Sequence, residues 1–274
     1  MEVTTMKFRF AVALAIVLLV ASAHSTFAQG TVMDWTINGV KRQALVFAPK
    51  ESKEKAPLVF AWHGHGGNMN GTSQLMHIQM LWPEAIVVYP QGLPTVSGGD
   101  PQGNLPGWQT EAGTNGDRDL KFFDEMLQTL RQKFSVDNER IYSMGFSNGA
   151  FFSYLLWSAR PKPIAAFAIC AGKLFPSDHL TEPRAVIVIA GRTDPKVDIQ
   201  DQQQAINTAR QVDQAMGEGI PCPAPNGAPS GTQCVRYTST LQTNVRTLIH
   251  PGGHVYPAWA SEPIVEFFKA HKHP

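Results

Sequence analysis

The sequence predicts an α/β fold: a mostly parallel sheet with an N-terminal antiparallel hairpin and helices on both faces. Three observations carry this expectation. Short apolar runs ("PLVFAWHG", "AIVVYPQG", "RIYSMG", "AAFAICAG", "AVIVIAGRTD", "VRTLIHPGG") each end in glycine, proline or aspartate. They lack strict alternation, as do strands buried on both faces. Helical periodicities stand between most of them, and strand–helix alternation builds parallel sheets. Upstream, "MDWTINGVKRQALVFAP" alternates apolar and polar residues on both sides of Asn38-Gly39, the signature of a two-residue hairpin.

In chain order, Lys7 and Arg9 precede the apolar run "AVALAIVLLVASA". That run has the length of a signal-peptide core and is short for a membrane span of about 20 residues. An uncleaved anchor is the rival reading. Thr26 and Ala28 supply the small residues of a cleavage site. Residues 1–28 therefore read as a signal peptide, and residues 29–274 as a single domain of a secreted or periplasmic protein without membrane contact. After the hairpin and the first strands, "DLKFFDEMLQTLRQKF" repeats apolar residues at three and four. "NGAFFSYLLWSAR" starts a second helix at a serine turn, "IQDQQQAINTARQVDQAM" is a polar helix with a thin apolar stripe, and "EPIVEFFKAHKH" closes the chain.

Two stretches lack any periodicity: residues 91–117, rich in glycine and proline, and residues 217–234. Loops this long are functional or disordered. Both are expected beyond the carboxyl ends of the strands, where α/β sheets bind ligands. Cys222 and Cys234 bracket "PAPNGAPSGTQ", and in an oxidising compartment they read as a disulfide. Cys170, inside an apolar run, reads as a buried free thiol.

Composition narrows the function. The chain is 43% hydrophobic, enough for one sizeable core, and its net charge is +1 with a pI near 7.8. It has no basic stripe, which argues against nucleic acid as a partner. Charged residues make up only 16%, which suits a neutral or polymeric substrate.

"RIYSMGFSNGAFFSYLLW" places Ser147 in Gly-x-Ser-x-Gly where a strand becomes a helix. So sharp a turn needs flanking positions nearly free of side chains, and it pushes the serine hydroxyl out of the fold. A serine needs a base, and the base needs an orienting group. Of nine histidines, His254 stands in a Gly-Gly loop just after the last strand and is the candidate base; His250 ends that strand and reads as structural. The candidate acid is Asp194, the first carboxylate after "AVIVIAG", with Asp198 as runner-up. An oxyanion hole needs two aimed N–H groups. One is expected from Asn148, after the serine, and the other from His65 in "HGHGGN", helped by Gly66. His63 and His65 have a rival reading as metal ligands, but no nearby Asp, Glu or further His completes a cluster. Trp108, in the long Gly/Pro loop, is a candidate substrate-binding wall, with a packing role as the alternative. A planar ring would suit an indole face.

"HGHGGN", "GFSNGA", "GRTDP" and "GGHVYP…IVEFF", in this order, resemble the secreted esterase family of polyhydroxybutyrate depolymerases, feruloyl esterases and acetyl-xylan esterases. The resemblance covers roughly residues 35–272 and implies an α/β-hydrolase fold, a Ser147–His254–Asp194 triad in the chain order of that fold, and an acyl-enzyme with no cofactor and no metal. The implied substrate is a polymeric ester, either feruloyl or acetyl groups on plant cell-wall polysaccharide or a polyhydroxyalkanoate. A non-catalytic polymer-binding protein is the less favoured reading. The family often has Cys where His65 stands, and His-Gly-Thr where this chain has Ala190-Gly191-Arg192. "NGDRDLKFF" matches the family's acidic helix start, which makes Asp117 a structural helix cap.

Overall fold

Asn38 and Gly39 take φ of 51° and 79°, the left-handed geometry of a tight hairpin turn. They join β1 (Thr31–Ile37) to β2 (Val40–Phe47). The structure, a computed structural model, describes residues 30–49 and 54–273; the expected signal peptide and its cleavage site lie outside the described residues. The remaining strands are β3 (Ala56–Trp62), β4 (Ile86–Pro90), the short pair β5 (Leu93–Pro94) and β6 (Pro106–Gly107), β7 (Val136–Phe146), β8 (Ala166–Cys170), β9 (Ala185–Gly191), β10 (Ile220–Cys222), β11 (Gln233–Tyr237) and β12 (Val245–His250). The helices are α1 (Met69–Met76), α2 (Ile78–Leu81), α3 (Arg118–Lys133), α4 (Asn148–Ala159), α5 (Ile199–Val212) and α6 (Ser261–Lys269).

Ten strands form one sheet in the order β1-β2-β4-β3-β7-β8-β9-β12-β11-β10. From β4 to β12 the neighbours run parallel, and both flanks are antiparallel. Successive side chains of β3 serve opposite faces. Leu58, Phe60 and Trp62 join one core with α3, α4 and α5, while Val59 and Ala61 join the other with α1, α2 and α6. Burial on both sides explains why these runs show no alternation. This is the α/β-hydrolase arrangement that the resemblance implied.

The differences from expectation are local. Residues 217–234 are not structureless: β10 and the start of β11 form a hairpin at the sheet edge, and Cys222 sits directly opposite Cys234. The two are disulfide-bonded, and Cys170 is buried and free. The intervening loop does reach the carboxyl edge, with Gly227 beside Trp259. Asp117 does not cap α3 with its side chain. Its Oδ1 instead accepts from the Gly113 N–H (2.7 Å) and from Gln109 Nε2 (3.0 Å), tying the helix start to the preceding loop.

The disulfide spans 12 positions, and closing such a loop contributes about 3 kcal/mol. Cys222→Ser with Cys234→Ser should therefore lower the melting temperature by several degrees. Calorimetry on the purified double variant checks this, with Cys170→Ser expected to move the transition far less.

Candidate active site

The turn between β7 and α4 is set by steric exclusion. A Cβ on Gly145 would lie 2.1 Å from the Gly149 carbonyl oxygen, and one on Gly149 would lie 2.3 Å from the Trp62 carbonyl oxygen. Neither position has room for a methyl group, so helix and strands meet in direct backbone contact. The chain compensates at Ser147, which takes φ 54°, ψ −119°. That conformation is costly for a non-glycine residue and is locked by the Ser147 N–H donating to the Cys170 carbonyl (2.9 Å).

His254 arrives from the loop after β12. This loop lies on Gly191 at the end of β9, where a Cβ would meet the Gly253 carbonyl at 2.4 Å. His254 Nε2 is 2.8 Å from Ser147 Oγ, and its Nδ1 is 2.8 Å from Asp194 Oδ2. The Asp194 carboxylate is fully buried, and the imidazole nearly so. Oδ1 of Asp194 accepts from the backbone N–H groups of Lys196 (2.8 Å) and Val197 (2.9 Å). The turn that follows Asp194-Pro195 thus holds one oxygen and leaves the other for the imidazole. The runner-up, Asp198, faces away: it caps α5 by accepting from the Gln200 N–H.

Asn148 and His65 flank the same space. Among the described residues neither backbone N–H has an acceptor, which leaves both available to a ligand. A Cβ on Gly107 would stand 2.7 Å from His65 Nδ1 and 3.0 Å from Asn148 Oδ1, so Gly107 lets the long loop pass between them. The His65 ring is tied through Nε2 to Asp100 (3.2 Å), and Asp100 also accepts from the Leu105 N–H. Asp100 has no sequence signal, because its partner is 35 positions away.

His63 is not arranged as a metal ligand. Its Nδ1 donates to the Gly64 carbonyl (2.7 Å) and its Nε2 accepts from the Gly92 N–H (2.9 Å). Both nitrogens are occupied, in one fixed tautomer. Burial, working against the help of the Gly64 carbonyl, pulls the His63 pKa down to about 4.

Trp108 corrects the expectation of a substrate-binding wall: no part of it reaches solvent. Its ring packs against Trp62 (5.0 Å) and Phe152 (5.6 Å), and its Nε1–H donates to the His63 carbonyl (2.9 Å). Its backbone does touch the site. The Trp108 N–H donates to Asn148 Oδ1 (2.7 Å), and Asn148 Nδ2 donates back to the Trp108 carbonyl (3.0 Å). The residue therefore clamps the long loop onto the start of α4.

A serine hydroxyl hydrogen-bonded to an imidazole, itself bonded to a buried carboxylate at strand ends of this fold, defines the geometry of a serine-hydrolase-type α/β protein. The comparisons narrow this class. The chain belongs to the "Esterase PHB depolymerase" family, whose model matches residues 41–211. It is 27% identical over 165 residues to a bifunctional acetylxylan esterase/xylanase of Neocallimastix patriciarum, covering 59% of this chain and 23% of that protein. It is 31% identical over 156 residues to feruloyl esterase D of Neurospora crassa, covering 54% of this chain and 51% of that one. These matches thus span at most about half of the two relatives. The acetyl xylan esterase from Aspergillus awamori shares the fold with a TM-score of 0.68 at 15% identity, covering 88% of this chain and all of that one.

Two outcomes follow from the buried residues. Trp108→Ala should destabilise the protein by about 3–5 kcal/mol and lower turnover of large and small esters alike, as melting curves and rates on both will show. His63 binds no proton in the folded chain between its pKa of about 4 and its ordinary 6.5, whereas the unfolded chain does. Its contribution to stability is complete above about 6.5 and is lost as pH falls towards about 4, on the order of 3 kcal/mol in all. The melting temperature of the wild type should drop more steeply between pH 6.5 and 4 than that of His63→Asn.

Proposed function

We propose that the protein is a secreted serine carboxyl-ester hydrolase working through an acyl-enzyme. The observation that carries this is the continuous hydrogen-bond chain Ser147–His254–Asp194, with 2.8 Å at each link. Ser147 Oγ attacks the ester carbonyl as His254 Nε2 takes its proton. Asp194 keeps the Nδ1–H tautomer in place and stabilises the imidazolium. The negative charge on the carbonyl oxygen is met by the N–H groups of Asn148 and His65. The tetrahedral intermediate collapses, and His254 returns the proton to the leaving alcohol. Water then enters, gives a proton to His254 and attacks the acyl-enzyme; as the second tetrahedral intermediate collapses, His254 passes that proton to Ser147 Oγ, which releases the acid and restores the serine. The sequence needs no cofactor.

The substrate read best by the relatives is a feruloyl or acetyl group on plant cell-wall polysaccharide. The family's description favours a second reading, a polyhydroxyalkanoate ester. Secretion is supported by the Lys7–Ala28 segment and by the Cys222–Cys234 disulfide. Residues 29–274 then act as a single domain.

Ser147→Ala should remove essentially all turnover of an aryl acetate, and a fluorophosphonate should label the Ser147 peptide by mass. Asp194→Asn should lower kcat by about four orders of magnitude through loss of the tautomer, while Asp198→Asn should weaken only the start of α5. Label elsewhere, or a crippled Asp198→Asn with an active Asp194→Asn, would refute the assignment. Methyl ferulate, acetylated xylan and polyhydroxybutyrate films, each run beside Ser147→Ala, separate the substrate readings.

A further inference from the structure

The peptide between Gly64 and His65 is held at both ends. A trans peptide is planar, so the His65 N–H points away from the Gly64 carbonyl, and fixing one aims the other. That carbonyl accepts from the Gly67 N–H (2.9 Å) and from His63 Nδ1 (2.7 Å). At the other end stands the His65 Cα, whose side chain reaches Asp100 Oδ2 through Nε2 (3.2 Å). The next residue, Gly66, donates its N–H to the Pro106 carbonyl (2.7 Å).

Asp100 is the centre of loop 95–105 rather than a surface carboxylate, and it is only 8% exposed. Its carbonyl accepts from the Ser97 and Gly103 N–H groups (3.0 Å each), and its own N–H donates to the Ser97 carbonyl (3.1 Å). The neck of the loop is closed by the Thr95 N–H on the Leu105 carbonyl (3.0 Å) and by Arg118 on the Thr95 hydroxyl. Asp100 Oδ2 also accepts from the Leu105 N–H (2.8 Å). That bond, working against burial, holds the carboxyl below its ordinary pKa. Asp100 is therefore an acceptor near neutral pH, and the proton between it and the ring sits on Nε2. Nδ1 of the neutral ring is then bare, and it is buried over Gly107 without a partner.

Both candidate oxyanion donors are referred to one short stretch of chain. Pro106 holds Gly66, Gly107 separates the His65 ring from the Asn148 side chain, and the Trp108 backbone holds that side chain. The His65–Asp100 bond completes this set on the His65 side. We propose that Asp100, acting through the His65 imidazole, is a positioning residue for the oxyanion hole: it sets the tilt of the His65 N–H, whose peptide is pinned at the Gly64 carbonyl. The proposal rests on the ester-hydrolase reading and adds a residue that acts on the reaction through another. An ester carbonyl oxygen gains its full charge only after attack, so a tilted donor lowers kcat and spares KM.

The test uses Asp100→Ala, His65→Asn and the double variant of the mature protein, with an aryl acetate as substrate. Asparagine keeps the backbone N–H but is too short to reach Asp100. Each variant should lower kcat about tenfold and change KM less than about twofold, a part of the roughly 10²–10³ that losing a whole oxyanion donor costs. The double variant should be no slower than the singles, because all three break one bond. Affinity for an aryl trifluoromethyl ketone should fall by the same factor: Ser147 Oγ adds to its carbonyl carbon, His254 takes the proton, and the carbonyl oxygen becomes the anion that the N–H groups meet. An unchanged kcat, a rise in KM alone, losses that multiply in the double variant, or a ketone affinity that holds while kcat falls overturns the proposal. Should Asp100→Ala not fold, His65→Asn decides by its kcat and ketone affinity, since it leaves the bond from Leu105 to Asp100 in place. A wild type inert on aryl acetate and unlabelled by a fluorophosphonate sinks the hydrolase reading, and the proposal falls with it. An active wild type matched by both single variants overturns the proposal alone.

Discussion

Strand β7 and helix α4 meet with no space for a methyl group between them, and the rest of the site depends on that contact. Because Gly149 rests on the Trp62 carbonyl, the end of β3 and the start of α4 are held at a fixed spacing. The loop that follows β3 carries His65, and the first turn of α4 carries Asn148, so two candidate oxyanion donors inherit that spacing. The same contact forces Ser147 into its positive φ. A substitution cost in one place thereby positions three groups that are far apart in the chain.

The long loop after β4 is held by a second constraint, electrostatic rather than steric. Arg42 on β2 and Asp119 at the start of α3 are fully buried and 2.8 Å apart. Such a pair loses much hydration, which its Coulomb attraction offsets only when the remaining atoms are also bonded. Here Asp119 Oδ2 accepts from the Gln109 N–H, Gln109 Oε1 accepts from the Asp119 N–H, and the Arg42 Nη atoms donate to the Arg118 and Gln91 carbonyls, while Arg42 Nε has no partner among the described residues. Gln109 adjoins Trp108, whose backbone holds the Asn148 side chain. The ion pair therefore ends, through two neighbours, at the Ser147 turn. Its worth lies in fixing an aperiodic loop of glycines and prolines rather than in net stability.

Local rules made part of this legible in the sequence. Asn38-Gly39 declares its turn, buried strands declare themselves by unbroken apolar runs, and Gly-x-Ser-x-Gly between strand and helix declares a sharp bend. Ser147, Asp194 and His254 are found because each stands just past the end of a recognisable strand. The Lys196 N–H bond to Asp194 was also within reach, since Asp-Pro is an open signal for such a turn. What stayed hidden depends on partners distant in sequence. The burial of Trp108 needs Trp62 and Phe152, and the Arg42–Asp119 pair links residues 77 positions apart. The strands β10 and β11 escaped because β10 is three residues long with a proline at its centre and β11 is a five-residue run broken by Arg236, and only their pairing at the edge beside β12 makes them strands. α1 and α2 are too short for a helical period to show.

The cystine hairpin has a further consequence at the margin of the sheet. An open edge strand is a template onto which another chain's strand can add. On one margin, β10 is only three residues long, has Pro221 at its centre and is cross-linked to its neighbour. Proline offers no N–H to an incoming strand, and the cross-link prevents β10 from peeling away to expose β11. On the other margin, β1 carries Asp34, held outward by Lys41 and Gln43, so a strand approaching there meets a charge. A sheet this wide is thereby guarded at both ends against self-templating, at one margin by a covalent staple and at the other by a fixed charge.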